Sequence, residues 1–377
     1  MAMYKLLRGQ LKFLKNDFDV VGLCSREKYF DELAEREGIR MIAVEIRRGI
    51  SLWKDFISVL KLVRVFKQEK PLIIHSHTGK AGFIAMIAGK IAGVPIRIQT
   101  VTGVGYEATK GIFRQIIILS DRITFFCATN IIPEGNGVRN SMLKFNVTKK
   151  PLHIIRNGNI NGIDIDYFNP STVSDATKSA LKNSLCIKES DFVYVFIGRI
   201  VGDKGVNELV SSFDMLFKSY QDIKLLLVGP FENTRDPLSE DTKHLIKENK
   251  AIVPVGLQQD IRPYLAISDI LVLPSYREGF PNAVLEAGSM GIPAIVTDIN
   301  GCNEIIKHEF NGLIINTKDV VALTKAMERV YLNRDFLKQL ACNIRPVIVE
   351  RYRREDVWEA LLEEYKLLIK NYNTKWN

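Results

Sequence analysis

No two of the five cysteines stand close enough to form a C-x-x-C pair; Cys24, Cys127, Cys186, Cys302 and Cys342 are scattered along the chain. This excludes a zinc ribbon and gives no sign of a disulfide framework, so a protein of the reducing cytosol is expected. Long apolar runs are missing as well. A membrane-spanning helix needs about 20 apolar residues in succession, and the nearest approach, Phe83 to Val94, is interrupted by Lys90. The opening residues do not read as a signal peptide. No G-x-G-x-x-G follows an opening strand, which argues against a dinucleotide-dependent dehydrogenase. Neither a paired Cys/His arrangement nor an aromatic RNP run is found, so no nucleic-acid partner is expected.

What is present is ordinary in amount and uneven in placement. A chain of 377 residues suggests two domains. With 46% hydrophobic and 25% charged residues it has the balance of a soluble globular protein. The net charge of +9 is concentrated in the first half: residues 1–170 hold 26 Lys+Arg against 15 Asp+Glu, whereas residues 171–377 hold 26 against 28. Such asymmetry fits a first half that faces something anionic, or a scattered solvated surface charge.

Strand-like and helix-like runs alternate throughout, the signature of an α/β doubly wound architecture. In the first half, strands are expected at Phe18–Cys24, Ile39–Val44, Leu72–His75 and Pro95–Thr100, with helices at Tyr29–Glu37, Leu52–Gln68 and Ala81–Ala92. The Asn/Pro/Ser/Thr-rich stretch 169–177 reads as a linker. A second α/β unit follows, with strands expected at Phe192–Gly198, Lys224–Gly229, Ile252–Gly256, Ile270–Pro274, Ala294–Thr297 and Leu313–Ile315, and helices such as Asn207–Phe217 and Asp319–Leu332. The start is unusual. Tyr4–Leu14 reads as one amphipathic helix, although a doubly wound domain normally opens with a strand and a loop. The expectation is a chain whose first strand is missing, through a late start or truncation.

Two segments carry chemistry. The first is Glu278-Gly-Phe-Pro-Asn-Ala-Val-Leu-Glu286, two carboxylates eight positions apart around a loop-to-helix junction. Gly279 permits close backbone approach, Pro281 suits a first helical turn, and the free N–H groups of a helix start suit an anion or a sugar hydroxyl. The second is Phe196-Ile-Gly-Arg-Ile-Val-Gly-Asp-Lys-Gly205, where Arg199 and Lys204 project from a loop after a buried strand. Cations at the carboxyl end of a strand suit a diphosphate. His75-Ser-His77 ends a strand in the first half, with both rings on one face. Metal binding, plain packing and substrate contact all remain open for this pair. Lys80, near the next helix start, suits a phosphate or simple exposure. Asp164-Ile-Asp166 is a D-x-D triplet lying just before the linker, and loop capping suits it better than a metal.

These residues resemble the GT-B fold glycosyltransferases, specifically the large retaining family four. The likeness covers nearly the whole chain. It is carried by His75-Ser-His77-Thr-Gly-Lys-Ala-Gly82, Asn161-Gly-Ile-Asp-Ile-Asp-Tyr-Phe168, Gly198-Arg-Ile with Lys204-Gly205, Glu278-Gly-Phe-Pro with Glu286, Gly301-Cys-Asn-Glu304 and Asn311-Gly-Leu313. Within the family it looks most like bacterial enzymes that extend lipid-linked saccharides for capsule, O-antigen or glycoprotein glycans. The resemblance implies two Rossmann-like domains facing a central cleft: 1–168, completed by a C-terminal helix in 355–377, and 178–354. It implies that Glu278, Arg199 and Lys204 are catalytic, the cations neutralising a leaving diphosphate and Glu278 holding donor-sugar hydroxyls. Gly198, Gly256, Gly279, Phe280, Pro281, Asn282 and Glu286 would contact the donor, Glu286 at the nucleotide ribose and Val255-Gly-Leu257 at the base. His75, His77, Lys80 and Thr102 would meet the acceptor. Many relatives carry a histidine where this chain reads Gln99-Thr-Val-Thr-Gly103, and Thr100 or Thr102 would replace its contact.

The implied reaction is transfer of a hexose or N-acetylhexosamine, with retention, from a nucleotide sugar, expected to be a UDP-sugar. No cofactor and no metal are expected, because two cations and a helix N-terminus would stabilise the departing charge. The implied acceptor is a polyprenyl-diphosphate-linked saccharide at an anionic membrane surface. The basic first half then predicts peripheral attachment to the cytoplasmic face through Arg8, Lys12 and Lys15. Two other readings share the fold: a catalytically silent protein that binds a sugar nucleotide or a partner, and a sugar-nucleotide epimerase.

Overall fold

The computed structural model describes residues 2–46, 49, 51–107, 109–232 and 236–376. Contacts divide the chain into two compact units, Met1–Gly162 with Arg354–Asn377, and Ile163–Arg353. The change of unit comes ahead of the 169–177 stretch. Ile163 already donates its N–H to the Tyr352 carbonyl at 2.7 Å and buries its side chain in the second unit's core. The stretch itself is ordered as a 3-10 turn, Pro170–Thr172, and the start of the helix Asp175–Ser184, capped by the side chains of Asn169 and Ser174.

The first unit contains two parallel ladders. Strand β1 (Val21–Cys24) pairs with β2 (Arg40–Ala43); β3 (Ile73–Ser76), β4 (Ile96–Val101) and β5 (Asn130–Pro133) form the other, in the order β3-β4-β5. The helices Leu52–Glu69, Gly79–Ala92 and Gly111–Cys127 lie side by side, the second between the other two. They share a core that includes Leu62, Phe66, Ile84, Met86, Ile118 and Phe125. A second cluster joins Leu14, Ile98 and Ile132 to Leu361 and Tyr365 of the C-terminal helix Arg354–Trp376.

The single helix expected at Tyr4–Leu14 is two short helices, Ala2–Leu6 and Gln10–Leu14. The cause is Gly9, at φ +82°, a left-handed conformation that a helix interior does not tolerate. A β-carbon there would lie 2.8 Å from the Trp358 ring. Close approach of the C-terminal helix thus selects glycine, and the glycine breaks the helix.

The second unit is one six-stranded, wholly parallel sheet. Its strands are β6 (Phe192–Ile197), β7 (Ile223–Val228), β8 (Ile252–Gly256), β9 (Ile270–Leu273), β10 (Ala294–Thr297) and β11 (Gly312–Ile315), in the order β11-β10-β9-β6-β7-β8. They fall where the sequence places them, to within a residue at either end. All six residues of β6 are buried, as are all four of β9 and of β10. Such unbroken apolar runs are what a parallel sheet covered on both faces requires.

Candidate active site

The strand order of the second unit reverses between β6 and β9. Connections from the two sides of that point leave toward opposite faces, so a crevice opens at the carboxyl ends of these two strands. Residues 198–205 leave β6 there and residues 274–281 leave β9. The sequence-predicted residues Lys204 and Glu278, one on each loop, meet. Lys204 Nζ donates to Glu278 Oε1 at 2.6 Å, and the side chains are only 17% and 16% exposed.

Asp203 holds the loops together. Its carbonyl accepts the Tyr276 N–H at 2.9 Å and the Ser275 hydroxyl at 3.3 Å, and its carboxylate accepts from Arg277 at 2.9 Å. Gly205, at φ +70°, lets the first loop press against the second, because a β-carbon there would sit 2.0 Å from the Pro274 carbonyl oxygen. The loop after β10 is fitted the same way. Gly301, at φ +76°, has room for no side chain; its β-carbon would lie 2.5 Å from the Gly279 carbonyl oxygen and 2.8 Å from Pro281 Cδ. Neither Asp203 nor the packing of Gly301 on Gly279 is visible as a site feature in the sequence, since both depend on which strands are neighbours.

The other donor-side residues are distributed as follows. Arg199 donates to Glu232 at 2.6 Å and lies 3.9 Å from Asp203, so its guanidinium is half-exposed and already faces carboxylates. Gly198 follows β6 directly and donates its N–H to the Val228 carbonyl at 3.0 Å. Gly256 ends β8 and accepts the Gly229 N–H at 2.9 Å. Phe280 turns its ring into the core, against Tyr352 with centroids 5.5 Å apart, which leaves its backbone toward the loop. Pro281 is the N-cap of the helix Asn282–Ser289 rather than a residue of its first turn, with an extended ψ of 102°. Asn282 is exposed at the helix start and Glu286 is half-buried farther along it.

In the first unit, the rings of His75 and His77 lie tilted against each other with centroids 4.1 Å apart. They line a small cavity with Thr100, Glu134 and Asn159. Both nitrogens of His75 are engaged, Nδ1 with the Tyr365 hydroxyl at 2.5 Å and Nε2 with the Thr100 hydroxyl at 2.7 Å. No ring nitrogen is left for an acceptor, and this histidine fastens the C-terminal helix to β3. Among the described residues, buried Nδ1 of His77 has no partner. Burial pushes the His77 imidazole down to about 4. His75 is also held well below its ordinary value, by burial and then by the neighbouring His77. Both rings are therefore neutral near pH 7. Lys80 is not a free cation: it pairs with Asp55 at 2.8 Å and donates to the Gly49 carbonyl. Thr102 is half-buried just beyond β4. Asp164 of the D-x-D triplet caps its own loop, accepting the Tyr167 N–H at 3.0 Å. Glu134 and Asn159 were not singled out from the sequence, because only the placement of β5 beside β4 brings them to the histidines.

Comparison with known proteins gives the family. Residues 177–346 match the family model for glycosyl transferases group 1, and residues 10–158 match the glycosyl transferase 4-like domain. The capsular polysaccharide biosynthesis glycosyltransferase CapM of Staphylococcus aureus is 30% identical, over 98% of this chain and 96% of its own. The UDP-Gal:alpha-D-GlcNAc-diphosphoundecaprenol alpha-1,3-galactosyltransferase of Escherichia coli is also 30% identical, over 85% of this chain and 82% of its own. Among solved structures, Anabaena HepE in complex with UDP superposes with a TM-score of 0.79 at 17% identity, over 94% of each chain. With a relative aligned over nearly the whole length of both chains and both family models matched, this chain belongs to the group 1 glycosyltransferases, family four of the GT-B fold.

Proposed function

We propose that this glycosyltransferase moves a hexose or N-acetylhexosamine, with retention, from a UDP-sugar to a saccharide carried on polyprenyl diphosphate, at the cytoplasmic face of a membrane where a surface polysaccharide is assembled. The observation that carries the reading is the Lys204–Glu278 pair at the switch point of the second sheet. A cation and a carboxylate 2.6 Å apart match the junction of a sugar phosphate, where anionic oxygens and hydroxyl donors adjoin. The donor diphosphate takes over Lys204, with Arg199 beside it. The released Glu278 carboxylate accepts hydrogen bonds from the sugar hydroxyls. The bond from the anomeric carbon to the phosphate oxygen breaks, the bond to the acceptor oxygen forms on the same face, and the acceptor proton passes to the departing diphosphate. Cations held in a shielded crevice stabilise that developing charge far better than they do in water. The relatives' named donor and diphosphoundecaprenol acceptor support the substrate classes.

The test is transfer from a panel of UDP-hexoses and UDP-N-acetylhexosamines to N-acetylglucosamine diphosphate on a short polyprenol, with the product's anomeric configuration read by NMR. One donor giving a product of unchanged configuration supports the proposal. Inversion, or turnover of the donor alone to its epimer, would sink it.

A further inference from the structure

We infer that the outer face of the three-helix layer in the first unit, led by the helix Gly111–Cys127, docks on an anionic lipid bilayer. This helix carries large apolar residues on its outer as well as its inner face. Its inner face packs Ile118 and Phe125 into the core. On its outer face Ile112, Phe113, Ile116, Leu119, Ile123 and Phe126 are all exposed, Ile112 by 80% and Phe126 by 69%. Five of these, all but Phe113, fall within about 80° of arc at about 100° per residue, one continuous stripe along the helix. A continuous apolar stripe of this length on a water-facing surface marks an interaction site. The other flanking helix of the layer exposes apolar groups too. On Leu52–Glu69, Trp53 is 72% exposed and lies beside exposed Phe56, their rings tilted with centroids 6.2 Å apart, and Leu60 continues their row.

Charge identifies the occupant. Residues 52–127 hold eleven Lys+Arg against four Asp+Glu. Exposed Arg64 and Lys67 lie in the row of Trp53, Phe56 and Leu60, and exposed Lys54 and Lys61 flank it. Lys90 reaches across to the Phe126 ring, 3.4 Å from its centroid. Aromatic and aliphatic groups with long cations around them match an interface of acyl chains below anionic headgroups, where Lys and Arg extend to the phosphates. A second copy of this chain would oppose two faces of the same positive sign. A nucleic acid offers nothing to the aliphatic stripe. The surface differs from the basic helix of Lys12 and Lys15; there Lys15 is turned back to the Gly38 carbonyl and the nearby apolar residues Leu7, Leu11 and Leu14 are buried. The loop bearing Thr102 runs directly into Gly111–Cys127, so docking here would bring the membrane to the acceptor side of the first unit. That last step rests on the proposed lipid-linked acceptor.

The experiment is flotation of the full chain with vesicles of phosphatidylcholine alone or mixed with phosphatidylglycerol, at low and high salt. It compares the wild type with Ile116→Asp/Leu119→Asp, Trp53→Ala/Phe56→Ala and, for the alternative basic helix, Lys12→Glu. We expect the wild type to float with the anionic vesicles, less so at high salt. Both pairs in the layer should weaken binding at least tenfold, and Lys12→Glu should leave it within twofold. Circular dichroism melts and the shift given by a UDP-sugar, read on the same samples, confirm that the variants are folded. No flotation of the wild type, equal flotation of the layer variants, or a wild-type dimer that the variants disperse while flotation persists would each overturn the inference. Transfer to a water-soluble acceptor is measured in parallel. Its absence alongside intact vesicle binding would remove the proposed function and leave the docking face standing.

Discussion

Lys204 and Glu278 show how much one contact decides. Each is less than a fifth exposed, so each owes its comfort to the other. Lys204→Ala leaves a shielded carboxylate without a partner and removes a cation from the leaving group. Turnover should fall on the order of 10²–10³-fold, in the range seen for loss of one transition-state charge donor. Lys204→Arg should recover only part of it, because the planar guanidinium needs more room; steady-state kinetics on the three proteins decides this. His77 gives a second expectation. Its folded value, about 4, lies below the ordinary 6.5. The folded state thus binds fewer protons between those values, and the stability from keeping the ring neutral is fully present above about pH 6.5. It is lost as pH falls through the folded value, a change of about 3 kcal/mol for a shift of this size. Urea midpoints at neutral and acid pH should diverge more for the wild type than for His77→Gln; identical slopes would refute this. The residue types at the site were legible in the sequence because Gly198, Lys204, Gly205 and Glu278 sit in local motifs. Their partners were not. Lys204 meets Glu278 only through strand order, and His75 is tied up by Tyr365 from the other end of the chain.

At the scale of elements, periodicity served well where one face of a helix is wet and one dry, and where strands are uniformly buried. The helix Leu52–Glu69 and strands β6, β9 and β10 are such cases. Gly111–Cys127 is hard to read from the sequence, since its outer face carries large apolar residues as its inner face does, which weakens the contrast that reveals a helical period. Strand β5 ends at Pro133, a residue that argues against a strand when read from sequence alone. The break at Gly9 was equally hidden, because its cause is the ring of Trp358. The loop after β6 yields an expectation at this scale. Gly205→Ala combines a left-handed backbone with a β-carbon that has no room beside Pro274. Strain of this kind costs about 1–3 kcal/mol. The loop relieves it by moving away from the β9 loop, which separates Lys204 from Glu278. Calorimetry should show the loss in stability, and titration should show weaker UDP-sugar binding; a variant with unchanged affinity would mean that the loop contact does not set the position of Lys204.

The whole molecule is unequal in how its two units are threaded. Residues 163–353 form one continuous segment around their own large core. The first unit is discontinuous, and its second cluster is completed by Leu361 and Tyr365 of the last helix, with His75 bonded to the same tyrosine. Removal of residues 354–377 should therefore act on one unit alone. It strips the cover from Ile98 and Ile132, leaves His75 Nδ1 without its partner, and frees the space that forced glycine at position 9. Loss of this much apolar contact, at several large side chains, exceeds what a unit with a stability of about 5–15 kcal/mol withstands comfortably. We expect the truncated chain to lose the thermal transition of the first unit and to become sensitive to protease before residue 162. The second transition should persist. A UDP-sugar at about 100 times its dissociation constant should still raise it by roughly 2.7 kcal/mol, as in the full chain, while transfer disappears. Scanning calorimetry with and without the sugar nucleotide makes both readings in one experiment. If truncation abolished the ligand-responsive transition too, the units would not be independent in folding. If it left both transitions in place, the last helix would not be part of the first unit's core.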